Sequence, residues 1–102
     1  MKFKIVKQDE RYIVEDDTSL NDLIVSRTTL HPNFSTTGHS HEGQEEVYVF
    51  QDGSGNMEID GEIHSVGQDS VMLIEGGLFH RVHNTGNNDL IFICIFKGER
   101  HA

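Results

Sequence analysis

The stretch Gly38-His39-Ser40-His41-Glu42-Gly43-Gln44-Glu45-Glu46 sets two imidazoles two residues apart and follows them with carboxylates, a donor set suited to a divalent metal ion. In an extended segment His39 and His41 point to the same face. A short loop through Gly43 then returns the chain so that Glu45 or Glu46 heads the next strand, Val47 to Phe50, and adds a carboxylate to the pair. His80 follows a second strand-like run, Val71 to Ile74, and a glycine turn at Gly76-Gly77, so it can close the set from across a barrel. Three imidazoles and one carboxylate suit Fe, Mn, Zn, Ni or Co, and leave positions on a six-coordinate ion for water or a small-molecule substrate.

Such a set needs elements that hold it. Apolar and β-branched runs of four to seven residues, separated by Gly, Asn and Asp, recur from Ile13 to Phe96 and predict many short strands with no helix, hence an all-β sandwich or closed barrel. Asp52-Gly53 and Asp60-Gly61 are expected to be tight hairpin turns and Thr85 to Asp89 a longer one. At 102 residues the chain is expected to form a single domain, residues 1–102, with its core at about 23–96. Met1 to Glu10 reads as an edge strand and Lys97 to Ala102 as a polar tail. The balance of 17 acidic against 8 basic residues repels a phosphate backbone, so nucleic acid is not an expected partner. The single cysteine, Cys94, sits in an apolar run and reads as a buried thiol. No signal peptide and no apolar run long enough to span a membrane are visible, which predicts a cytoplasmic protein with no membrane partner.

Beyond the histidine pair the residues resemble the cupin family. The first motif of that family is Gly, five residues, His-x-His, three or four residues, Glu, six residues, Gly, and His39, His41 and Gly53 match it. Counting back from Gly53 selects Glu46 over Glu45, and Asn33 stands where the motif begins with Gly, Asn being the residue that best replaces Gly in a left-handed conformation. The second motif matches at Gly77, His80 and Asn84, with Asp69 in place of its leading glycine and Glu75 in place of its proline. The resemblance covers roughly residues 28 to 96. It implies a cupin jelly-roll β-barrel holding one divalent transition metal ion with His39, His41, Glu46 and His80.

Tyr48 and Phe50 share the strand parity of Glu46 and are expected to face the cavity. Tyr48 and Glu75, the latter beside the turn that carries His80, are the candidate catalytic residues. Arg27 is the candidate clamp for an anionic group, whereas Arg81 and His83 are expected to face outward. His64 reads as a partly exposed strand residue, and His31 and His101 as solvated. The surroundings of the first motif are similar to stand-alone cupins related to mannose-6-phosphate isomerases. That similarity implies a metal-dependent sugar or sugar-phosphate isomerase or epimerase, with an iron-dependent dioxygenase and a non-catalytic ligand-binding module as alternatives. Small cupins commonly pair, so a homodimer is expected.

Overall fold

Runs rich in Val, Ile and Phe become strands because β-branched and aromatic side chains suit a pleated, half-buried surface. The computed structural model describes residues 1–98. In order the strands are β1 (Lys4–Gln8), β2 (Tyr12–Asp17), β3 (Leu23–Leu30), β4 (Glu46–Asp52), β5 (Ser54–Ile59), β6 (Glu62–Gly67), β7 (Val71–Ile74), β8 (His80–His83) and β9 (Leu90–Lys97). Six of them form one antiparallel sheet in the order β1-β2-β3-β9-β4-β7, and three form a second in the order β6-β5-β8. No helix occurs among the described residues. The two sheets make the expected jelly roll.

Residues 33–39 run along the free edge of β8, joined to it by the isolated bridges Ser35↔His83 and His39↔His80. The Thr36 N–H donates to the Val82 carbonyl at 2.9 Å, and the Thr36 hydroxyl accepts the Val82 N–H at 2.9 Å. A side chain thus fills a place that the irregular ladder leaves empty.

Inward residues line up in rows across the large sheet. Tyr12, Leu30 and Leu90 form one row, and Val14, Thr28, Phe92 and Phe50 the next. Asp16, Ser26, Cys94 and Tyr48 follow, then Ile24, Phe96, Glu46 and Ile74. All of these are buried. Met57, Val66 and Val82 close the core from the small sheet. Tyr12 and Val14 extend the core upstream of the expected 23–96, because β2 is held between β1 and β3 and must bury its alternate residues.

Two turns differ in kind. Asp60-Gly61 joins the paired strands β5 and β6, with φ of 49° and 85°, as expected of a two-residue hairpin. Asp52-Gly53 does not join paired strands: β4 and β5 belong to different sheets, so the turn is a corner. Gly53 has φ 85°, and a Cβ there would meet the Asp89 carbonyl oxygen at 2.4 Å, so no other residue fits. Asn33 (φ 68°) and Asp69 (φ 71°) adopt left-handed conformations where the resemblance has glycine. β9 continues through Lys97, one residue into the expected polar tail, and residues 99–102, including His101, lie outside the described residues. The edge strand expected within Met1 to Glu10 is β1, exposed along its length.

Candidate metal centre

Three elements converge on one point. Glu46 opens β4, His80 opens β8, and His39 bridges to His80 from the edge segment. One ligand atom from each of His39, Glu46 and His80 lies within 4.8 Å of the others. Glu46 Oε2 is 3.8 Å from His39 Nε2 and 2.5 Å from His80 Nε2. Although close, Glu46 Oε2 and His80 Nε2 are both buried and are not aligned as a hydrogen bond, and neither has another hydrogen-bond partner. Burying such atoms without partners costs free energy that a shared cation would recover.

Each of the two buried side chains, Glu46 and His80, is held from its far side. The His80 Nδ1–H donates to the Leu78 carbonyl at 2.9 Å. A carbonyl only accepts, so in the neutral ring Nε2 carries the lone pair and faces the cluster. The Cys94 thiol donates to Glu46 Oε1 at 3.6 Å, leaving Oε2 as the inward oxygen. Burial alone would raise the Glu46 carboxyl, but the His39 and His80 imidazoles outweigh it and hold its pKa at about 2. Burial alone would lower His80, but the Glu46 carboxylate and the Leu78 carbonyl raise it above its ordinary value. An ionised carboxylate and a tautomer-fixed imidazole are what a divalent cation requires, and the nitrogen and oxygen donors suit a transition metal.

The cluster borders a cavity of about 340 Å³ lined in part by Thr28, Thr36, His41, Tyr48 and Phe92. His41 stands beside the three-residue group, its ring centroid 4.7 Å from that of His39. Its loop is tied down by the Gly77 N–H, which donates to the His41 carbonyl at 2.9 Å. A Cβ on neighbouring Gly76 would press on the Gly43 backbone at 3.1 Å, so this close approach favours glycine. Tyr48 is buried on the cavity wall, its ring 5.7 Å from His80. Glu45 is exposed.

Other expectations divide. Glu75 is exposed in its turn and does not line the cavity. Arg27 is not a cavity residue: it lies on the outer face, paired with Glu15 at 3.2 Å and stacked over Phe3. Ser26 and Thr28 take the inward positions of β3, so the polar residues of that strand point to both sides. Arg81 and His83 face outward as expected and share Glu58, and His83 Nδ1 is 2.6 Å from Ser35 Oγ. His31, expected to be solvated, is half-buried and pairs with Asp89 at 2.9 Å. His64 is half-buried on β6, 3.6 Å from Glu62. Asn84 is structural, its buried amide donating to the Leu30 and Asn88 carbonyls. The residue that sequence reasoning missed is Lys7, which lines the cavity from β1.

The model of the cupin domain matches residues 26–96. An oxalate-binding protein of Thermotoga maritima is 32% identical over 72 residues, covering 71% of this chain and 60% of its own length. A glucose-6-phosphate isomerase of Thermococcus kodakarensis is 29% identical over 113 residues, covering 94% of this chain and 60% of its own. The chain therefore spans about 60% of the length of each of these curated relatives. Among solved structures, a predicted oxalate decarboxylase of Thermotoga maritima superposes with a TM-score of 0.74 at 28% identity, covering 83% of this chain and 80% of its own.

Proposed function

The chain belongs to the cupin family, and on that premise we propose that it is a metal-dependent protein acting on a small molecule by sugar- or sugar-phosphate-isomerase-like chemistry. In this reading His39, His41, Glu46 and His80 are the ligands. The observation that carries it is the buried pair Glu46 Oε2 and His80 Nε2, close to each other but without hydrogen-bond partners, beside a cavity large enough for a small metabolite. A divalent ion held there would act as a Lewis acid toward a carbonyl or hydroxyl oxygen. The chain's own residues do the rest. The hydroxyls of Thr28 and Thr36 orient a hydroxylated ligand, the rings of Tyr48 and Phe92 exclude water, and Tyr48 handles a proton. Glu75 is left out of this role because it stands in the exposed turn.

A second reading, ligand binding without turnover, is favoured by the name of the oxalate-binding relative. Elemental analysis of untagged protein, followed by isomerisation and oxygen-uptake assays, separates the two. About one metal equivalent is expected in the wild type and in Glu45→Gln, with loss in Glu46→Gln. The reverse pattern overturns the ligand assignment. Manganese or zinc with isomerisation supports the first reading, and bound ligand without turnover the second. Iron with oxygen consumption replaces both by an oxygenase.

A homodimer belongs to the same proposal. Both outer strands of the large sheet offer surface for it: β1 is exposed throughout, and Val71 and Leu73 of β7 are 56% and 72% exposed. A monomer in light scattering at micromolar concentration would exclude it.

A further inference from the structure

β1 is the least buried strand of the molecule, yet it delivers a side chain to the cavity. The device is a bulge. Ile5 lies opposite Glu15, whereas Lys7 lies opposite Val14, so Val6 is an extra residue in the ladder. Residues directly opposite in an antiparallel pair point to the same side, and Val14 points inward. A regular ladder would have set Lys7 opposite Ile13, which alternates with the buried Tyr12 and Val14, and so would have turned it to the outer face. The bulge reverses its direction.

The neighbouring cation is not available for the same task. Arg11 is committed to Asp9 at 2.8 Å, to the Tyr12 hydroxyl at 2.9 Å and to Thr37 Oγ1 at 2.7 Å. Lys7 Nζ lies 5.6 Å from the Tyr12 ring centroid and has no carboxylate partner among the described residues. It is also the one Lys or Arg lining the cavity among those residues. On a chain of net charge -9 an approaching anion is repelled almost everywhere else.

We propose that Lys7 is the specificity residue for an anionic ligand, its ammonium holding the carboxylate or phosphate of a small hydroxylated molecule that reaches from the cavity mouth toward the His39, Glu46 and His80 cluster. This rests on the reading of the cavity as a small-molecule site. It adds the charge of the ligand and the residue that selects it. Thr36 and Thr37 stand on the same lining and suit the hydroxyls of such a molecule.

The test titrates the full chain, zinc-loaded and metal-stripped in parallel, with glucose, glucuronate and glucose 6-phosphate, which share a ring and differ in the group at one end. Calorimetry is expected to show at least one of the two anions binding about tenfold or more tighter than glucose. Whether glucuronate or glucose 6-phosphate gains more tells carboxylate from phosphate. Lys7→Gln is expected to remove that preference while leaving glucose affinity, zinc content and melting temperature unchanged, and Lys7→Arg to retain it. The proposal is overturned if neither anion outbinds glucose, or if Lys7→Gln keeps the preference within about twofold. A Lys7-dependent preference in protein that binds no zinc would sink the metal reading and leave this one standing. Zinc bound at the cluster with a Lys7-independent preference would do the opposite.

Discussion

At one end of the sandwich the inward rows are apolar, with Leu30, Leu90, Phe50, Met57 and Val82 at or near zero exposure. A few residues further along the same strands the rows carry Asp16, Ser26, Cys94, Glu46 and Tyr48, and the cavity opens between the sheets. Backbone geometry is common to both ends, since β2, β3, β4 and β9 run through each of them. What differs is how the interior is filled. The apolar end is packed by dispersion and water exclusion, which have no unmet demands. At the polar end two buried polar atoms, Glu46 Oε2 and His80 Nε2, face each other without a hydrogen-bond partner, so its stability responds to protons and to whatever binds there.

The largest effect is expected where packing is tightest. Phe50→Ala removes a fully buried ring that packs against Tyr48 and Phe92, and should cost about 3–5 kcal/mol in urea unfolding, with metal uptake retained by the folded fraction. A cost comparable to that of an exposed substitution would mean that the two ends do not divide the work in this way.

The next effect belongs to the polar end and depends on pH. In metal-free protein His80, raised above its ordinary value, contributes stability in full below about pH 6.5 and loses it as pH rises through the raised value. Glu46, depressed to about 2, contributes above the ordinary carboxyl range and loses its contribution as pH falls toward that value. Metal reverses the upper part of this profile, because it requires a neutral imidazole. Zinc at about a hundredfold excess over its Kd should add roughly 2.7 kcal/mol near pH 8, and this gain should shrink in acid, where protons compete for His80. Melting curves with and without chelator, near pH 8 and near pH 5, read the difference directly. Equal melting temperatures near pH 8 would remove metal from the account of this end.

The smallest effect tests the support behind the cluster. Cys94→Ala removes the thiol that restrains Glu46 Oε1, and should lower stability by about 1 kcal/mol or less and weaken zinc binding by about tenfold. Zinc affinity unchanged by Cys94→Ala would show that β4 alone orients the carboxylate.

The same contrast explains what the sequence disclosed. The placement of Glu46 inside and Glu45 outside accords with strand parity, which is a local property, whereas the choice between the two came from the motif that the chain shares with cupins. The convergence of His39 with His80 was legible through the resemblance, because the two motifs of cupins match at these residues. Arg27 was misread because β3 buries Ser26 and Thr28, so hydrophobic alternation does not tell the inner face from the outer. β9 gives no alternation either, since its outward Ile91 and Ile95 are as apolar as its inward Phe92 and Phe96. Lys7 was invisible for another reason. Its direction depends on a bulge in pairing with β2, and no pattern within β1 announces an extra residue.

The edge segment that carries His39 also has a consequence for rates. Glu46 and His80 stand on strands that belong to a sheet, whereas residues 33–39 are joined to β8 by isolated bridges and a few backbone hydrogen bonds. Segments held in this way open more readily than the sheets they border. An ion bound by all three residues would then be captured and released at the frequency with which this segment lifts. The amides of Thr36 and His39, which donate to Val82 and His80, should exchange with solvent deuterium early in the metal-free protein and late in the loaded one.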